Sequence, residues 1–360
     1  MHVAFVLSAL QAGGAERVIN ILSSAAISAG WAVTIISFDR PEDPVFHLYH
    51  PQVNFIRLAI GPGALHVARR MIALRRTMRE GRFDRVISFL AKINVITLAA
   101  ALGLPQHVTV SERNNPRLQP MNALWRLALR RLYRRADDIV MQTSRSVACL
   151  PKRHRARAVV IPNPVELPAV SACRSGSRTV VGVGRLTPQK GFDLLIAAFA
   201  RAAAENPAWR LVIWGEGPAR SALEHQIGQL GFGDRITLPG LSATPGSWVH
   251  SAEIFVLSSR YEGFPNAMLE AMAAGLAVTA FDCDFGPAEL IEPARAGVLV
   301  PHGAVGALAR SLSMLMRVPE ERRRLGRAAR KVAARLSDDR ISQLWLSRLE
   351  TTPKGQAGSL

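Results

Sequence analysis

"VVIPNPVELPAVSACRSGSRTVVGVGR", residues 159–185, holds the break on which the reading of the whole chain turns. Its first part runs through three prolines and a string of small residues, which remove both the helix and the central-strand option for several positions. An apolar strand, "TVVGVGR", then restarts the pattern. Before the break, "HVAFVLS", "AVTIISF", "RVISFL" and "HVTVSE" read as strands, separated by helical stretches such as "ERVINILSSAAISAG" and "LWRLALRRLYRRA". After it, "TVVGVGR", "RLVIWGEG", "RITLPG", "EIFVLSS" and "LAVTAFD" alternate with "GFDLLIAAFARAAAE", "ARSALEHQIGQLG" and "NAMLEAMAAG". Strand and helix alternating in this way is the mark of parallel sheets flanked by helices. Two doubly wound, Rossmann-like α/β domains are expected: residues 1–162, a linker at 163–177, a second domain at 178–336, then a last helix and flexible tail at 337–360. At 360 residues the chain exceeds the roughly 100–200 of a single domain.

Composition narrows the class. With 49% hydrophobic and 20% charged residues the chain is a globular protein and not a disordered one. Cys149, Cys173 and Cys283 lie far apart with no metal-ligand spacing, which argues against a disulfide framework or zinc site and fits a reducing cytoplasm. The start, "MHVAFVLSALQAGGAE", lacks a basic leader and reads as a first strand, not a signal peptide. "VISFLAKINVITLAAALGL" is the most apolar span, but Lys92 and Asn94 near its middle argue against a membrane crossing. The net charge of +18 is uneven: residues 61–157 carry 20 Lys or Arg against 5 Asp or Glu. An anionic surface is the expected partner of that part.

Open α/β sheets bind ligands at the carboxyl ends of their strands, so a crevice between two such sheets is the expected site. In "VVGVGRLTPQKG" a strand ends at Gly184, Arg185 follows, and Lys190 comes just before a helix. A planar fork and a mobile point charge suit a diphosphate and the negative charge that develops as it leaves. Two solvated surface cations would give the same local pattern. "SRYEGFPNAMLEAMAAG", residues 259–275, sets Glu262 in a bend and Glu270 in the helix that follows. Eight residues of unbroken helix would turn the second carboxylate about 80° from the first, so a loop residue and a helix residue converge better than two on one helix. The helix start near Pro265 and Asn266 offers N–H groups to phosphate oxygens. Glu270 could accept from two ribose hydroxyls, which leaves Glu262 free for a sugar ring. "QAGGAERV" places Gly13 and Gly14 between the first strand and its helix, where backbone can approach a substrate. "WGEGPAR", with Gly215 and Glu216, is a further strand-end turn of small residues, able to admit a nucleobase.

"GRLTPQKG", "GEGP", "EGFPNAMLEAMAAG" and the early "GGAE" closely resemble the family 4 glycosyltransferases of GT-B fold, over nearly the whole chain. The resemblance implies two Rossmann-like domains facing across a cleft, and retaining transfer from a nucleotide-sugar without a metal or other cofactor. It implies that Arg185 and Lys190 hold the donor diphosphate, Glu270 the ribose, and Glu262 with the Gly263, Phe264, Pro265 and Asn266 bend the sugar, while Gly14 faces the donor phosphate and sugar. Glu262, Arg185 and Lys190 are the expected catalytic groups. The wording "SRYEGFPNAMLEAM", with "DCDFGPAELI", is similar to the branch that builds surface polysaccharides or lipid-linked oligosaccharides, which implies a UDP-sugar donor and a lipid-linked or saccharide acceptor. Many members carry a first-domain histidine where this chain reads "TVSERNNP", so Glu112 and Arg113, with Gly13, are the acceptor-side candidates. A turn capped by Ser111 or Asn114 is the other reading of that stretch.

Asp282 and Asp284 form a D-x-D pair, but the further oxygen ligands that a hard cation needs are not placed by the sequence, so no metal is expected. The helix "LWRLALRRLYRR" sets Trp125, Arg126, Arg130, Arg131 and Arg134 where they could meet an anionic bilayer, and "ARRMIALRRTMREGR" extends the basic surface; a packed helix with a solvated cationic face is the other reading. The expectation is a cytoplasmic transferase held at the inner face of the membrane. Two alternatives are a basic nucleic-acid-binding protein, poorly served by 6% aromatic residues, and a GT-B-like UDP-sugar epimerase.

Overall fold

The computed structural model describes residues 1–11, 13–115, 117–118, 121–168, 176–242, 244 and 246–351. They fold as two compact units, Met1–Pro164 with Asp338–Leu360, and Val165–Ser337. The expected linker therefore divides: Asn163 and Pro164 belong to the first unit, Val165–Pro168 to the second, and 169–175 lie outside the described residues, as does the tail from 352.

In the first unit, strands β1 His2–Leu7, β2 Ala32–Ser37, β3 Asn54–Arg57, β4 Arg85–Phe89, β5 His107–Ser111, β6 Asp138–Met141 and β7 Ala158–Val160 form one sheet, ordered β3-β2-β1-β4-β5-β6-β7. Every pairing is parallel. The helices are α1 Gly14–Ser28, α2 Val67–Gly81, α3 Ala91–Ala100, α4 Ala123–Leu132, and two single turns, α5 Ser144–Val147 and α6 Lys152–Arg155. Val3–Leu7 is entirely buried, as a strand covered on both faces must be. "VISFLAKINVITLAAALGL" is β4 followed by α3, and no described helix is long and apolar enough to cross a membrane.

The second unit repeats the plan with β8 Thr179–Val183, β9 Arg210–Trp214, β10 Ile236–Gly240, β11 Ile254–Leu257, β12 Ala277–Phe281 and β13 Val298–Val300, ordered β10-β9-β8-β11-β12-β13, again parallel throughout. Its helices are α7 Phe192–Ala203, α8 Arg220–Gln229, α9 Asn266–Ala274, α10 Pro287–Ile291, α11 Val305–Arg317 and α12 Pro319–Ala334. Successive strand residues serve opposite cores, as the two-residue period requires. Ile254 and Val256 pack with Leu195, Phe199 and Leu312, whereas Phe255 and Leu257 pack with Met268, Leu269 and Met272.

In each sheet the strand order reverses once, between β1 and β4 and between β8 and β11. At such a switch point neighbouring loops leave in opposite directions and open a crevice at the carboxyl edge. The glycine turn after β1 sits at one of these points, and the loops after β8 and β11 at the other.

The last helix, α13 Asp338–Thr351, returns to the first unit. Val165 N donates to Leu336 O at 2.9 Å, so the outgoing and returning segments run side by side. Three arginine contacts fasten α13. Arg348 donates to the fully buried Asp138, Arg85 Nε donates to Leu349 O at 2.8 Å, and the Arg113 guanidinium lies over the Phe89 and Trp345 rings. Trp345, 1% exposed, stacks on Phe89 with centroids 6.0 Å apart. Trp345→Ala should cost about 3–5 kcal/mol, the usual range for removing a buried aromatic. Urea unfolding checks this, and a loss below about 1 kcal/mol would mean that α13 is not part of the first core.

Candidate active site

Three loops leave the carboxyl edge of the second sheet, after β8, β11 and β12, and they are stitched to one another. Ser258 Oγ donates to Lys190 O at 2.9 Å, Arg260 N to Gln189 O at 2.7 Å, and Gln189 Nε2 to Tyr261 O at 3.1 Å. Arg260 also grips Asp193 through both guanidinium nitrogens, at 2.8 and 2.7 Å, and these hydrogen bonds hold the Asp193 carboxyl below its ordinary value. The third loop joins through backbone: Glu262 N donates to Asp284 O, and Phe285 N to Glu262 O at 2.9 Å.

This approach of backbones is possible because the crossing points are glycines. A Cβ on Gly191, at φ +61°, would lie 2.1 Å from Ser258 O. On Gly215, at φ +145°, it would lie 1.9 Å from Gly184 O.

At the centre, Lys190 Nζ meets Glu262 Oε1 at 2.7 Å, and Ser259 Oγ donates to the same oxygen at 2.6 Å. Glu262 is 4% exposed. The carboxylate that the sequence reading assigns to a sugar ring is thus held by an ammonium and a hydroxyl. Ser259 was missed by that reading, and the only signal for it is a small hydroxyl residue three positions before the glutamate. Cys283, also missed, is buried beside the pair, and burial, with the nearby Glu262 charge, pushes its thiol up to about 12.

Arg185 follows β8, is exposed, and makes no side-chain hydrogen bond or ion pair among the described residues. Of the two expected cations, one is engaged with Glu262 and one is open to solvent. Helix α9 starts at Asn266 after Pro265, with no side-chain cap; Asn266 N donates to Phe264 O at 3.0 Å, and the N–H groups of Ala267 and Met268 have no acceptor within the helix. Phe264 is buried in the bend, Gly263 and Asn266 are half-buried, and Glu270 lies one turn into α9, also half-buried. Glu216, after Gly215, is exposed and clamped by Arg220 at 2.9 and 2.6 Å. Neighbouring Trp214 has a buried Nε1 with no hydrogen-bond partner among the described residues. Asp282 and Asp284 are half-buried, and among the described residues no cluster of three His, Cys, Asp or Glu could hold a metal.

The first unit carries its own strand-end groups. Gly13 caps α1 in an extended conformation without a side-chain hydrogen bond, and Gly14 opens the helix. Glu16, absent from the expected set, folds back over them, its Oε2 2.1 Å from where a Gly13 Cβ would stand. Burial holds its carboxyl above the ordinary range. Glu112 and Arg113 follow β5, and both are buried. Glu112 accepts from Tyr133 Oη, whose other contact is Asn94 Nδ2 at 3.0 Å. Arg113 donates to Asn163, which also accepts from Gln142 Nε2 at 2.7 Å, and burial lowers the guanidinium to about 9.

Helix α4 corrects one expectation. Trp125 does not face outward: with Ala128, Leu129 and Leu132 it packs against the core of the first unit, while Leu124 and Leu127 are exposed beside Arg126, Arg130, Arg131 and Arg134. A helix keeps one apolar stripe for its own core, and here the tryptophan belongs to it.

Two family models match the chain, "Glycosyltransferase Family 4" over residues 12–168 and "Glycosyl transferases group 1" over residues 166–332. The exopolysaccharide phosphotransferase of Streptomyces coelicolor is 34% identical over 213 residues, 58% of this chain, and the match spans 23% of that relative's length. A Campylobacter jejuni enzyme, GalNAc-alpha-(1->4)-GalNAc-alpha-(1->3)-diNAcBac-PP-undecaprenol alpha-1,4-N-acetyl-D-galactosaminyltransferase, is 25% identical over 96% of this chain and 97% of its own. Among solved structures, Anabaena HepE in complex with UDP and glucose matches with a TM-score of 0.81 at 18% identity, over 98% of this chain and 100% of the other. That likeness establishes the two-domain α/β fold.

Gly215→Ala should cost the second unit at least about 1–3 kcal/mol, since it adds a strained backbone to a collision with Gly184 O. The same variant should expose Cys283 to a thiol reagent at pH 8, measured by peptide mass mapping, whereas the native chain keeps it protected. An unchanged unfolding midpoint with Cys283 still protected would refute the close approach of these loops.

Proposed function

Since the chain belongs to the family 4 glycosyltransferases of GT-B fold, we propose that it moves a hexose or N-acetylhexosamine from a UDP-sugar onto a lipid-linked glycan or polysaccharide intermediate, with retention at the anomeric carbon. The observation that carries this reading is the Lys190–Glu262 pair at 2.7 Å, at the switch point of the second sheet, with Arg185 exposed on the same loop as Lys190. The donor and the acceptor class are supported by relatives: HepE was crystallised with UDP and glucose, and the Campylobacter enzyme is named for an undecaprenyl-diphosphate-linked acceptor.

In this mechanism Arg185 and Lys190 receive the diphosphate, and the uncapped start of α9 adds N–H groups for its oxygens. Lys190 already lies against a carboxylate, so the donor's sugar enters where Glu262 is positioned by Ser259 and the ammonium together. As the bond from sugar to phosphate breaks, the leaving oxygen gains charge near the two cations and takes the proton of the attacking acceptor hydroxyl from the same face. The protein supplies position and charge stabilisation, and no metal is needed. Glu270 holds the ribose. On the acceptor side, Gly13 and Gly14 offer backbone, and Glu112 and Arg113 shape the edge of β5. The arginines of α4, with Leu124 and Leu127, hold the chain at an anionic membrane surface, where a lipid-linked acceptor resides.

The test is UDP release from a panel of UDP-sugars in the presence of membrane extract, with product anomers read by NMR. Lys190→Ala and Glu262→Gln should each lower kcat/KM on the order of 10²–10³-fold. Glu270→Ala should raise the KM for the UDP-sugar with little change in kcat, and EDTA should leave the rate unchanged. Full activity of Glu262→Gln, or an inverted product, would sink the proposed mechanism.

A further inference from the structure

Helix α12 carries a feature that the transfer reaction does not use. Its residues Arg323, Arg327, Lys331 and Arg335 stand at successive four-residue steps, so they form one row along a helix face. Several exposed helix arginines are matched with acids, Arg76 with Glu80, Arg220 with Glu216 and Glu224, and at the start of α12 Arg323 with Glu320 and Arg324 with Glu321, whereas, among the described residues, those of α4 are not. Past the second turn of α12 the matching stops. Arg327 and Lys331 have no acid three or four positions away in either direction, and both are exposed, with no ion pair among the described residues. Asp338 and Asp339 come three and four residues after Arg335, so the two central cations define the site.

Like charges four apart weaken a helix, and a sequence that keeps them in a row departs from local preference. Arg327, Lys331 and Arg335 border a groove of about 340 Å³ whose remaining lining is Ala294, Ala328 and Val332, with Arg324 at one end. Among the described residues no amide, hydroxyl or aromatic side chain lines it to read a sugar or stack a base. It offers cations about 6 Å apart along the axis over a short apolar floor, which matches charged phosphodiesters with glyceryl carbons beneath them.

We propose that this groove binds the headgroups of anionic phospholipids and gives the second unit its own contact with a membrane surface. The site is independent of the transferase reading and of the α4 contact, because it uses none of their residues.

The test compares the full chain with an Arg327→Gln/Lys331→Gln variant on phosphatidylcholine vesicles with and without phosphatidylglycerol, by co-sedimentation. The native chain should bind the phosphatidylglycerol vesicles, and the variant should lose on the order of 30-fold in affinity, as two basic side chains near an anionic surface imply. An Arg40→Gln/Arg210→Gln variant, which removes the same charge from exposed positions elsewhere, should lose far less. UDP-sugar turnover with a soluble acceptor should be the same in all three, so a failure of lipid binding is told apart from a failure of the enzyme. Equal losses from both pairs would assign the effect to net charge and overturn the proposal. So would unchanged vesicle binding of the groove variant, or a loss confined to binding of an RNA oligonucleotide.

Discussion

One contact organises the second unit's ligand edge: the ammonium of Lys190 against the carboxylate of Glu262, with Ser259 on the same oxygen. A buried ion pair gains little net stability, because desolvation of the two charges offsets most of their attraction. Its effect is on geometry. Lys190 comes from the loop after β8 and Glu262 from the loop after β11, strands that are neighbours only because the sheet order reverses there. The pair therefore fixes the spacing of two loops that sequence separates by 72 residues. The glycine contact at 191 and the Arg260–Asp193 bridge hold the same spacing from outside.

Much of this was legible in the chain. Strands buried on both faces are written as unbroken apolar runs, and the proline-rich break after β7 shows where one sheet ends and another begins. Lys190 and Glu262 stood out because each closes a strand-end turn before a helix. The strands that escaped are β3, β6, β7 and β13, three or four residues each, too short for an apolar run to stand out from loop sequence. Strand β6 begins with an aspartate, which reads against a central strand until Arg348, 210 residues later, comes to neutralise it. Pairings of that range leave no local trace. Neither does Ser259, whose role depends on where Glu262 turns.

Two side chains show what residue type leaves open without its neighbours. Glu262, expected to face a sugar ring, is also held by an ammonium and a hydroxyl, and Trp125, expected at a bilayer, packs inward. A carboxylate 4% exposed needs partners, and the structure supplies them. A tryptophan on an amphipathic helix can serve a membrane or a core, and the composition of the stripe does not decide which. Here the apolar stripe of Trp125, Ala128, Leu129 and Leu132 is contiguous with the core, and the exposed leucines are Leu124 and Leu127.

The stretch after β5, where the family resemblance leads one to look for a histidine, carries Glu112 and Arg113. Arg113 cannot act as an imidazole would, since it is buried, stacked over Phe89 and Trp345, and tied to Asn163. Its neighbour Glu112 is tied to Tyr133, and Tyr133 through Asn94 to Ser88. These groups form a network that runs from the end of β5 to the helices on both faces of the sheet, because Trp345 belongs to α13 and Tyr133 follows α4. Such a network holds the end of β5 in one geometry, and the proposed transfer, in which the leaving phosphate takes the acceptor's proton, asks no more of it.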